Sequence, residues 1–92
     1  MSVVIVGGNE CMVRRYKDVC REYDCTAKVI VKMSRGLKNI GNPDLLVLFT
    51  NTVSHKMVHC ALQCIKNNHV PVVRCHTSSM SALRNILDEH VR

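Results

Sequence analysis

Ninety-two residues suit one domain spanning the whole chain, with a modest core, because a chain this short hides only roughly two-thirds of its unfolded surface. The apolar share is 47%, ordinary for a globular chain, and aromatics are 3%, so aliphatic residues, Met and Cys must fill the interior. The net charge of +6 suits nucleic acid, anionic lipid or a small anionic ligand, although a solvated surface with spare lysines is the simpler reading, and the lack of stacking aromatics and of a readout motif argues against nucleic acid.

No stretch is long enough to span a membrane, and the N-terminus lacks a signal-peptide layout, so a cytoplasmic protein with no membrane partner is expected. A homodimer is expected too, since an interface would add burial to a small core. Six cysteines in a reducing compartment read as buried hydrophobes or functional thiols, and no C-x-x-C pair is present.

The first element is the apolar run Ser2 to Val6, which reads as a strand buried on both faces and ends at Gly7-Gly8. Asn9 suits an N-cap. The next helix is predicted over Glu10 to Tyr23, with Met12, Tyr16, Val19, Cys20 and Tyr23 on one face. A second strand is expected over Ala27 to Val31, then a short helix capped by Ser34 before Gly41-Asn42-Pro43.

Leu45 to Phe49 is the predicted central strand. A helix should begin near Thr52 or Val53 and end near Asn67-Asn68, with Val53, Met57, Cys60, Ala61, Cys64 and Ile65 as its apolar arc. The last strand is placed at Val70 to Cys75 and the last helix carries Met80, Leu83, Ile86 and Leu87. This alternation predicts an α/β fold: a small three-layer sandwich, half-Rossmann or flavodoxin-like, on a four-stranded parallel sheet of order 2-1-3-4.

Ligands of such sheets bind outside the carboxyl ends of the strands, where the strand order reverses. Three polar clusters converge there. They supply the candidate ligand-binding residues Gly7, Gly8 and Asn9; Thr50, Asn51, Thr52, Ser54 and His55; and His76, Thr77, Ser78 and Ser79. Helix N-termini with Ser and Thr hydroxyls suit a phosphate or carboxylate, although each hydroxyl could equally serve only as a cap. The Gly-Gly turn is neither G-x-G-x-x-G nor a Walker loop, and Glu10 would repel a phosphate beside it.

His55 and His76 are candidate ligands for a metal or for haem iron, with Cys75 adjacent; from spacing alone, two unrelated polar histidines is the simpler reading. His55 and His59 are four residues apart, as in half a zinc site, but an exposed helix face explains His59 better. Cys75, at a strand end, is the candidate redox thiol. Ser54 beside His55 is mere adjacency, and with Glu10 the only nearby acid no catalytic constellation emerges, so an enzyme is not expected.

Val-Gly-Gly after the first strand, the stretch from Pro43 to Lys56 containing Val53-Ser54-His55, and Pro71 to Ser79 together resemble the domain-of-unknown-function 2325 family over nearly the whole chain. The resemblance implies a Rossmann-like, dimeric domain and, for some members, haem as a cofactor. It would give the crevice histidines a purpose, with propionates held by cations such as Arg14, Arg15, Lys32 or Arg35. Longer members of the family it resembles tend to carry His-His-Asp-Gly-Gly where this chain has Lys32 to Gly36, and some carry Cys where it has Thr52. The expected function is therefore a small ligand-binding module with haem as the most specific ligand. The alternatives are a phosphate- or nucleotide-type anion-binding domain, with or without enzymatic activity, and a thiol-based redox sensor. The ligand's identity, any catalysis and the path of residues 32–43 are not legible in the sequence.

Overall fold

The computed structural model describes residues 1–32, 40–65 and 69–91. Four strands, β1 (Ser2–Val6), β2 (Thr26–Ile30), β3 (Leu45–Phe49) and β4 (Val72–Cys75), form one parallel sheet in the order β2-β1-β3-β4. The helices are α1 (Val13–Glu22), α2 (His55–Cys64) and α3 (Met80–His90). The expected α/β sandwich and strand order are thus present.

Period-two alternation divides the core into two layers. Val3, Ile5, Leu45, Val47 and Phe49 pack with Tyr16, Val19 and Cys20 of α1 and with Leu83, Ile86 and Leu87 of α3. Val4, Val6, Leu46 and Leu48 pack with Met57, Ala61 and Ile65 on the α2 face. All five residues of β3 are fully buried. Each such side chain contributes about 1.5–3 kcal/mol of transfer free energy, so this strand is the hydrophobic centre of the sheet.

The element ends differ from the sequence expectation for local reasons. Asn9 accepts the Cys11 N–H at 2.9 Å and closes a 3-10 turn, Glu10–Met12, before α1 proper begins. β2 starts and stops one residue early because Ser2 registers with Thr26, and the Ile30 carbonyl accepts the Gly7 N–H at 2.8 Å. α2 starts at His55, since Ser54 is its cap and accepts the Met57 N–H. β4 starts at Val72, not Val70; Pro71 has no N–H and contributes only its carbonyl, to Leu46 N–H. The short helix expected after Ser34 and the Asn67-Asn68 stop lie outside the described residues. Close to that stop, His69 has the left-handed φ of 49°.

Among the described residues, no helix is long and apolar enough to cross a membrane.

Candidate functional site: a groove between helix α2 and strand β4

The loops at the carboxyl ends of β1, β3 and β4 converge as topology demands, and they are tied to one another. Gly7 (φ 101°) and Gly8 (φ 93°) adopt conformations that L side chains rarely accept. A Cβ on Gly7 would lie 2.6 Å from Val53 Cγ1 and 3.0 Å from the Phe49 carbonyl oxygen. Gly8 N–H donates to Thr52 Oγ1 at 2.7 Å, and that hydroxyl donates to the Phe49 carbonyl at 3.1 Å. Asn9 N–H donates to the Tyr16 hydroxyl at 3.3 Å, which itself donates to the Ser78 carbonyl at 2.6 Å. The N–H groups of Gly7, Gly8, Asn9 and Cys11 are therefore all bonded within the protein, and the first loop is a packed joint between strand ends.

The other candidates divide into caps and rim residues. Ser79 caps α3 by accepting the Ala82 N–H at 3.2 Å, as Ser54 caps α2. Thr50 Oγ1 lies 3.2 Å from His76 Nδ1 and 3.3 Å from the Cys75 carbonyl. Cys75 is half-buried and its thiol donates to the Thr77 carbonyl at 3.1 Å. Asn51 and Thr77 are exposed at the rim. Glu10 is paired with Lys32 at 2.8 Å, so its charge is partly offset; that carboxylate, by hydrogen bond and charge, holds the Lys32 ammonium above its ordinary pKa.

Beside this joint lies an open groove of about 420 Å³. Its helical wall is the stripe His55, Val58, His59 and Leu62 of α2, at i, i+3, i+4 and i+7. Val53 and Thr50 close its end and Arg74 of β4 forms the opposite wall. The register explains Arg74: it pairs with Leu48, whose side chain faces α2, whereas Val73 and Cys75 point into the other layer. α2 buries Met57, Ala61 and Ile65 against the sheet. Its neighbouring stripe is left facing the edge strand, where Val72 is 36% exposed.

This arrangement pairs two imidazoles one helical turn apart with a guanidinium over a wall of Val53, Val58 and Leu62. No acidic side chain lines it among the described residues. It can take a ligand with an apolar body and an anionic group. Its volume is within the range of small-molecule sites, roughly 300–1,000 Å³.

Of the sequence candidates, His55 and Thr50 line the groove; His76 meets it only through its contact with Thr50. His59 is on an exposed helix face, as expected, and the structure places it with His55 along the groove. Arg74 was missed altogether. Its signal was the alternation Val72-Val73-Arg74-Cys75, which separates Arg74 from the buried side. Of the other cations considered, Arg14 and Arg15 are on α1, which covers the opposite face, and Arg35 lies outside the described residues. Among the described residues, no three His, Cys, Asp or Glu side chains are grouped to hold a metal ion.

Residues 2–90 match the family model described as "Uncharacterized protein conserved in bacteria (DUF2325)". No curated protein and no solved structure matches the chain at a significant level. The chain belongs to the DUF2325 family.

Proposed function

We propose that this member of the DUF2325 family is a non-enzymatic ligand-binding module, and that its groove takes a flat, largely apolar ligand bearing carboxylates, with haem the specific candidate. The observation that carries this reading is the sharing of one groove by His55, His59 and Arg74. The donor chemistry fits the group. An imidazole nitrogen is a common axial ligand of haem iron. A guanidinium matches a carboxylate in a two-bond fork, which suits a propionate. Val53, Val58 and Leu62 supply apolar contact for a ring system.

In this reading His55 or His59 would hold the iron, Arg74 would hold a propionate, and the apolar wall would exclude water from the ring face. Bound haem would supply a redox-active iron. The expected His55–His76 pair becomes a comparison in the test, because His76 reaches Thr50 at the groove's end.

Titration of the purified chain with hemin, followed in the Soret region, tests the proposal. Wild type should give a saturable shift at one hemin per chain, and the double variant His55→Ala/His59→Ala should abolish it. Arg74→Ala should weaken binding about tenfold, equivalent to about 1.4 kcal/mol for one charge-assisted contact. No Soret shift, or a shift indifferent to both histidines of α2, would overturn the assignment. A shift lost only in His76→Ala would move the ligand out of the groove.

A further inference from the structure

At the other end of the sheet, α1 runs into β2 through a tight turn with Cys20 in the last turn of the helix and Cys25 just before the strand. The turn is a Schellman motif: Cys25 N–H donates to the Cys20 carbonyl at 2.9 Å, and Asp24 N–H to the Arg21 carbonyl at 3.0 Å. Asp24 supplies the left-handed residue, with φ of 58°. In such a motif the side chains of the first and last residues frequently meet in an apolar contact. Here those residues are Cys20 and Cys25, and both belong to the same core cluster.

A disulfide requires α-carbons roughly 4.4–6.8 Å apart, and a backbone hydrogen bond between the two residues holds them on that scale. Access is one-sided. Cys20 is 0% exposed; Cys25 is also buried, at 7%, but it lines a second cavity of about 400 Å³ with Lys17, Arg21, Asp24, Thr26 and Ala27. One thiol of the pair can meet a small oxidant, and the other waits behind it.

We propose that Cys20 and Cys25 form a dithiol that closes to an intramolecular disulfide across the α1–β2 turn when the chain meets a peroxide. The Cys25 thiolate attacks a peroxide oxygen and breaks the O–O bond. With hydrogen peroxide this gives Cys25 sulfenic acid and, after proton uptake, water. The Cys20 sulfur then attacks the Cys25 sulfur, forming the S–S bond and expelling the hydroxyl as a second water with the Cys20 proton. Two thiols are oxidised and one peroxide is reduced to two waters.

Burial holds both thiols above their ordinary pKa, and the Cys25 thiol donates to the Tyr23 carbonyl at 3.4 Å. The attacking Cys25 thiolate therefore forms at alkaline pH, and the pair stays protonated and slow to react near neutrality. The device is independent of the groove, which lies against β4 at the opposite edge of the sheet.

Tryptic mapping of the full chain tests the proposal without any variant, because Arg21 separates the two cysteines. The chain is treated with hydrogen peroxide at mildly alkaline pH, at a dose that oxidises the exposed Cys11. It is then denatured, alkylated and digested. Peptides 18–21 and 22–28 should appear joined, lighter than their separate thiol forms by the two thiol hydrogens, and should separate on reduction. Cys25→Ser should abolish the linked species and leave Cys20 as a free, alkylatable thiol. Recovery of both peptides singly alkylated, or of Cys25 linked to any other cysteine, overturns the proposal.

Discussion

Thr52 and His55 stand three residues apart, one in the loop after β3 and one at the start of α2, and do different work. The Thr52 hydroxyl accepts from Gly8 and donates to Phe49, so the joint between β1 and β3 explains it. No such duty accounts for His55, which faces the groove. The sequence marked both as polar residues at a strand end. It could not separate them, because the partners of Thr52 lie three and forty-four residues away. Cys20 is a residue whose burial has a measurable consequence. Desolvation, and then the neighbouring Cys25, push its pKa from 9.0 to about 11. Between those values the folded state holds the proton that the unfolded state has released, so stability is fully present below about pH 9 and falls as pH rises towards 11. Denaturation measured across this window under reducing conditions should show wild type losing about 2 kcal/mol more than Cys20→Ala. Parallel pH profiles for the two proteins would contradict the burial argument.

At the scale of elements, Tyr16 joins three parts of the chain. Its ring is fully buried on α1 and packs 5.5 Å from the Phe49 ring, while its hydroxyl bonds the Asn9 amide and the Ser78 carbonyl. Its place on the apolar face of α1 was legible from helical spacing. The tie to Ser78 was not, because it depends on α3 following β4 back to the same layer. Tyr16→Phe keeps the ring and leaves the amide and carbonyl without this partner. It should cost about 1–3 kcal/mol in urea denaturation, with an unchanged m value. A loss below about 0.5 kcal/mol would show that water replaces the hydroxyl and that the tie is not structural. Helix α2 shows how far periodicity carries. The stripe Met57, Ala61 and Ile65 was readable as core. The stripe His55, Val58, His59 and Leu62 gained meaning only from the register of β4, which sets Arg74 opposite it.

For the molecule as a whole, topology explains why the groove lies one strand beyond the reversal point. Order 2-1-3-4 brings the carboxyl ends of β1 and β3 together, and Gly7, Gly8, Thr52 and Val53 then fill the space between them. β4 is an edge strand, and α2 covers the sheet up to Leu46 and Leu48 while leaving the α2-facing side of β4 open. The alternation of strands and helices made the sheet order legible. The position of the groove was not, because it depends on how far one helix spreads over the sheet. The central claim is that this groove is the ligand site. Its most direct test is chemical-shift mapping of the isotope-labelled chain with gallium protoporphyrin, a diamagnetic stand-in for haem. The amides of Val58, His59, Leu62 and Arg74 should shift together and saturate with one ligand per chain. Shifts confined to the α1–β2 turn, or to the packed joint at Gly7 and Gly8 with none along α2, would contradict it.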